Sequence, residues 1–357
     1  MSTFIKYNSG DIVQDNAKIH SNTWSTGDNE LTSFHTSSTE ALNYASPSSS
    51  GQFFLDISAT APTTNTAVEF SIAYGHKDGK GARDFSPGTG GSGFSATKAI
   101  YNQYRQLVYG DENQNFSFQG VAPDDIYVIN FERARIKQGL KPGSLNLQLT
   151  SGSTVRSRIH LTDDFTSNTG SAIPTALGRQ FNLVTGSNGT TLGTIGNQTD
   201  SGSYGYVYPD AGIIILNPSA LKCKIGNLTA HNGTVAQASE FDITPSASVN
   251  GDGKNIRKLY NSIEKAESFI IDSQETVSSQ YFFTRVTNQE FNYSSNTSFT
   301  TSDGSLRFDT MVNNPKVYIT TIGLYNDSNE LLAVAKLSKP LVKDFTKEAL
   351  IRIKLDY

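Results

Sequence analysis

The sequence predicts a mainly β protein, an antiparallel β-sandwich or pair of sandwiches with two or three inserted helices. The chain end gives the clearest sign: Ile351, Ile353, Leu355 and Tyr357 alternate with Arg352, Lys354 and Asp356. A period of two over seven residues marks a strand with one buried face. A second sign is composition: only 17% of the 357 residues are charged, and Ser, Thr, Asn and Gly are abundant. That mixture suits short strands joined by turns, because Gly and Asn accept positive φ and Ser and Thr bond to nearby backbone. The 20 Phe and 16 Tyr are the third, since they supply core surface that disordered chains lack. The apolar runs are short and often alternating, which favours antiparallel pairing over a buried parallel sheet.

Residues 1–50 read as a polar, turn-rich N-terminal arm containing the only tryptophan, Trp24, and ending in the Ser/Pro-rich stretch 46–51. A β-rich region over 51–150 follows. Gln52–Ile57 is a strand, and Val68, Phe70, Ile72 and Tyr74 alternate with Glu69, Ser71 and Ala73 in a second. After a glycine-rich loop, Ile100, Tyr104, Leu107 and Val108 form one helical stripe, predicting a helix over 95–109. Ser95 or Thr97 would cap it and Gly110 would stop it. Ile126–Phe131 and the alternating Leu145, Leu147 and Leu149 are further strands.

Residues 151–205 hold few apolar clusters and read as an irregular insertion with a short strand near Phe181–Val184. A second β-rich region over 206–357 either stands alone or shares a core with 51–150. It opens with a hairpin, Tyr206–Tyr208 and Ile213–Leu216 around Pro209-Asp-Ala-Gly212. Ile256, Leu259, Tyr260, Ile263 and Ala266 predict a helix over 255–267. Strands follow at Phe269–Ile271 and Tyr281–Val286. Last come the runs 316–325 and 331–337 around a polar five-residue turn.

Motif chemistry is sparse. Gly88-Thr-Gly90-Gly-Ser-Gly93 matches a dinucleotide fingerprint in spacing, but a charged segment ending in Pro87 precedes it where a strand is required. The five histidines, at 20, 35, 76, 160 and 231, form no zinc-binding pair, and Cys223 is the only cysteine. Asp124-Asp125 and Asp163-Asp164 are adjacent carboxylates; neighbours on a strand face opposite ways, so neither pair is an acid/base couple. Asn250–Asn255 resembles a calcium loop only in part, lacking its acidic ladder. We therefore expect no catalytic, cofactor or metal residues. A net charge of −4 and a pI near 5.8 argue against nucleic-acid binding. No stretch suggests a leader or membrane span.

Several blocks in order carry a family likeness: "IAYGHKDGKGARDF", "TKAIYNQYRQLV", "DDIYVINFERARIKQGLKPGSLNLQL", "YGYVYPDAGIIILNPSAL", "YFFTRVTNQEFNYSSN" and "ITTIGLYNDSNELLAVAKLSKPL". From about Ile72 to Tyr357 the chain resembles virion structural proteins of T-even-like contractile-tailed phages of marine cyanobacteria. The resemblance implies a place in a phage particle; with no catalytic signature and no apolar leader in the sequence, we expect a non-enzymatic subunit at the tail or baseplate, made in the host cytoplasm. Its partners would be other virion proteins and further copies of itself, with neither nucleic acid nor membrane. Neck protein and capsid decoration are the neighbouring alternatives within that class.

Trp24, Tyr318, Tyr325 and Tyr357 are the candidate interface residues; the three tyrosines, as strand aromatics, could instead serve the core. Aromatic loops at Phe291-Asn-Tyr293 and Ser203-Tyr-Gly-Tyr206 suggest a fiber-attachment or host-glycan-binding module as the second reading. A glycan-degrading enzyme is the third, supported only by dispersed acidic residues.

Overall fold

The computed structural model describes residues 4–36, 54–81, 96–151, 158–167, 172–191, 202–224, 240–245, 254–294 and 296–357. The strands, in chain order, are β1 (Ile12–Asn22), β2 (Glu30–Leu31), β3 (Phe54–Ser58), β4 (Val68–His76), β5 (Asp125–Phe131), β6 (Gly139–Leu140) and β7 (Asn146–Thr150). They continue with β8 (Arg158–Asp163), β9 (Ile173–Thr175), β10 (Gly178–Ser187), β11 (Thr190–Thr191), β12 (Gly205–Tyr208), β13 (Ile213–Leu216), β14 (Lys222–Lys224) and β15 (Glu240–Asp242). The last five are β16 (Phe269–Ile270), β17 (Asp272–Val286), β18 (Val317–Tyr325), β19 (Leu331–Lys343) and β20 (Ala349–Asp356). Two α-helices, α1 (Ala96–Tyr109) and α2 (Lys254–Glu264), accompany them. The protein is mainly β, and the sequence expectation of antiparallel pairing with inserted helices holds.

The chain divides into two compact units: a central unit, Ile19–Glu275, and a terminal unit of Met1–Lys18 with Thr276–Tyr357. Residues 206–275 share the central unit with 51–150, whereas 276–357 group with residues 1–18.

The central unit is built on the strand order β2-β16-β7-β8-β10-β12-β13-β5-β4-β3, with β9 and β11 on the flank of β10. Its sheet curls. Phe269 of β16 lies 5.4 Å from Phe70 of β4 and 5.7 Å from Phe131 of β5, ring centre to ring centre, although these strands are far apart in the order. Just beyond β2, His35 exchanges two 2.9 Å backbone hydrogen bonds with Ser58 at the end of β3, so the two edges of the sheet meet. Closing an edge this way leaves fewer unpaired backbone groups for foreign strands.

Inside the curl, Ile256, Leu259 and Ile263 of α2 pack with Tyr74, Ile129, Leu147 and Leu216. On the other face Ile100, Tyr101, Tyr104 and Val108 of α1 cover Val128, Tyr208 and Ile215. Covering on both faces explains β4: Glu69 and Ala73, expected outside, are buried with Phe70 and Ile72. Helix α1 runs nearly as predicted and stops at Gly110, whose φ of +70° ends the helix with Gly110 N donating to Gln106 O. Thr97 lies within the helix and donates to Lys80 O; Ser95 falls outside the described residues. Helix α2 ends at Glu264, three residues before the predicted stop.

Two expectations for the central unit are corrected. Residues 151–205 are not an irregular insertion: β8 and the ten-residue β10 sit in mid-sheet. Polar side chains gave no apolar signal there, yet Thr162, Asp163, Asp164 and Thr185 are buried. The Asp164 carboxylate, for example, accepts from Asn182 N and Asn182 Nδ2, both at 2.9 Å. Trp24 is not part of a polar arm either. It is 3% exposed and packs on Phe70, Phe131 and Phe269.

In the terminal unit β17 lies between β1 and β20, and β18 pairs with β19 as a hairpin. Strand β20 runs beside β17 in the register Ile353 to Phe282 and Ile351 to Thr284. Ile351 and Ile353 are buried as their alternation predicts, together with Leu324 of β18.

Candidate assembly surface

The alternation that makes β18 and β19 strands also makes their hairpin two-faced. Ile322 and Leu324 of β18 and Ala333, Ala335 and Leu337 of β19 face Phe282, Ile351, Ile353 and Leu355. The opposite face carries Tyr318, Tyr325, Leu332 and Val334, all exposed. Gly323, paired with Val334, lies on this face, and a Cβ there would meet the Tyr325 ring at 2.8 Å and Leu331 at 3.1 Å. Glycine thus lets the tyrosine lie back across the strand. Phe4 meets the same ring edge-on at 5.4 Å.

Of the four candidate interface residues, three belong here: Tyr318 is 62% exposed, Tyr325 47% and Tyr357 67%. Trp24 belongs instead to the core of the central unit. The three tyrosines have numerous apolar companions. Among the described residues, sixteen of the twenty exposed large apolar side chains lie in the terminal unit. Scattered exposed apolar residues need no explanation, but concentrated ones mark interaction surfaces.

The loop from β17 toward the hairpin is tightly held. Lys343, at the end of β19, is fully buried. Its ammonium donates to Asn288 O at 3.0 Å, Asn292 Oδ1 at 2.8 Å and Asp344 O at 3.0 Å. Three donors meet three acceptors, so the charge is solvated by protein. Burial pulls this ammonium below the ordinary lysine range, while the nearby Asp344 opposes the shift. Asn292 Nδ2 donates back to Asn288 O at 2.7 Å, and Thr287 N and Oγ1 both donate to Glu290 Oε2. Phe291 and Tyr293, on either side of the buried Asn292, point outward at 37% and 48% exposure. A lysine reads in sequence as a solvated group, so nothing there signalled this cage.

The remaining candidates lie in the central unit. Asp124 pairs with Lys77 at 2.6 Å, which holds its carboxyl below the ordinary range. Asp125 instead accepts from Tyr74 Oη at 3.2 Å, and burial raises its carboxyl to about 6. The two neighbours face different surroundings, as strand geometry requires. Burial likewise raises Asp163 to about 6 against the N–H groups of Gly143 and Phe165 that donate to it. Each of these acids ties a turn or strand end to its neighbour. His76 accepts from Asp78 N at 3.0 Å, and burial lowers its pKa.

Among the described residues no three metal-ligating side chains cluster, and no helix is long and apolar enough to cross a membrane. The glycine-rich motif 88–93, the 250–253 part of the calcium-like loop and the Cys223 side chain lie outside the description. Tyr204 and Tyr206, expected in an exposed aromatic loop, are buried in the central unit. No known protein family, curated protein or solved structure matches the chain.

Proposed function

We propose that this protein is a non-enzymatic structural subunit of a bacteriophage virion, placed in the tail or baseplate, that assembles through its terminal unit. One observation carries the assembly role: exposed apolar side chains are concentrated on a unit whose own buried cluster is small. The sequence resemblance supplies the virion context. Partners are other virion proteins and further copies of the same chain. Tyr318, Tyr325 and Tyr357 contribute large area with a polar tip, the property that enriches tyrosine at interfaces.

Immunogold labelling of purified particles, with peptide identification in the same preparation, tests this reading. We expect gold at the distal tail. Gold on the head or neck would move the subunit to capsid decoration or the neck. Absence of the chain from washed particles would overturn the reading altogether.

A further inference from the structure

The 287–293 loop combines three features that independent causes would rarely bring together. Its frame is rigid, held by the buried Lys343 ammonium, the Asn292 to Asn288 bond and the Thr287 to Glu290 bonds. Its backbone is strained, since Phe291 has φ +52°, a left-handed conformation that a residue with a Cβ adopts at a cost. Its output is exposure: Phe291 and Tyr293 turn outward, next to exposed Asn288, Gln289 and Glu290. Strain and a buried charge maintained for the sake of two solvent-facing rings make sense where the rings meet something. Holding them in place beforehand removes the ordering cost of binding.

The chemistry of the exposed groups narrows what that is. The loop's single carboxylate, Glu290, is exposed with Oε2 accepting from Thr287 N and Oγ1, and its one ammonium contact, Lys343, is buried, so the loop shows solvent a carboxylate and no cation, which disfavours an anionic ligand. The exposed groups are two aromatic rings beside the amides of Asn288 and Gln289 and the Glu290 carboxylate, an acceptor for hydroxyls. Pyranose rings present C–H faces that stack on aromatic rings and hydroxyls that bond to amides. We propose that this loop is a binding site for a neutral saccharide, with Phe291 and Tyr293 as the stacking platforms and Lys343 and Asn292 as positioning residues. This proposal is independent of the assembly reading.

The test uses the full-length protein and neutral oligosaccharides of gluco, galacto and manno configuration, with saturation-transfer NMR and calorimetry as readouts. We expect transfer to at least one of these sugars, with Phe291→Ala/Tyr293→Ala weakening binding at least tenfold while the circular dichroism stays unchanged. Phe291→Gly is the sharper variant. It relieves the left-handed strain, so the melting temperature stays level or rises while binding falls. Lys343→Met should weaken binding with both rings still present. Transfer to none of the three sugars, or binding indifferent to the double variant, would overturn the proposal. Labelling of virions would be unaffected by that failure, which separates it from failure of the assembly reading.

Discussion

Among the described residues the central unit buries thirty-one in one apolar cluster and thirteen in another, on the two faces of a sheet whose edges meet. The terminal unit's one apolar cluster holds three, Leu324, Ile351 and Ile353, with partly covered neighbours around them, and Val286, Met311 and Ala349 are buried apart from it. Both are antiparallel and both obey strand alternation, so the local rules are the same. What differs is the use of the second face. In the central unit α1 covers it; in the hairpin Tyr325, Leu332 and Val334 leave it to solvent. Each fully buried large side chain is worth roughly 1.5–3 kcal/mol, so the central unit carries its own stability and the terminal unit carries little. A unit this thinly packed gains from a partner, and assembly is what would supply one.

The largest effect expected from breaking this contrast comes at Trp24. Replacing it with Ala should cost about 3–5 kcal/mol and unfold the central unit cooperatively, as denaturant titration would show. A loss below about 1 kcal/mol would mean that the aromatic cluster does not organise this core.

Lys343→Met tests the terminal unit in the same way. The apolar side chain leaves the buried Asn292 Oδ1 without its donor, while Asn288 O and Asp344 O keep Asn292 Nδ2 and Lys347 N, at a cost of about 1–3 kcal/mol. Proteolysis should begin in 287–293 while the central unit resists it. Cleavage in both units together would contradict their independence.

Asp125 probes the central unit through pH. Its folded carboxyl sits at about 6, above the ordinary 3.8, because burial disfavours the charged form. The stability this group contributes is complete below pH ~4 and is lost as pH rises through 6. Asp125→Asn stays neutral, so at pH 8 it should be more stable than the parent by about 2–3 kcal/mol. Near pH 3.5 the two should coincide. A variant destabilised at pH 8 would show that the charged form is needed.

The smallest effect on folding belongs to the hairpin face. Leu332→Ser with Val334→Ser should change monomer stability by no more than about 0.5 kcal/mol per site. The same pair should abolish incorporation into particles, read by mass spectrometry of purified virions. Normal incorporation would remove this face from the interface.

The contrast also explains what was legible in the sequence. Alternation at 351–357, the α1 stripe and the 206–216 hairpin were readable because apolar residues recur at the period of the element. Strand β1 was not: all but one of its eleven residues are exposed, so neither face leaves a hydrophobic trace. Strand β10 was read only at Phe181–Val184 and β8 not at all, because Thr162, Asp163 and Asp164 are buried through hydrogen bonds, which a hydrophobic pattern does not record. Trp24 was misread because its polar sequence neighbours gave no hint of Phe269, a partner almost the whole unit away. Tyr318 and Tyr325 could be assigned to a strand but not to a face of the molecule. That depended on whether another layer covered the hairpin.

Hydrogen exchange compared between the purified chain and intact particles tests the central claim most directly. Amides of β18, β19 and β20 should exchange quickly in the free chain and slowly in the particle, with central-unit amides slow in both. Equal, strong protection of both units in the free chain would contradict it, because the terminal unit would then need no partner.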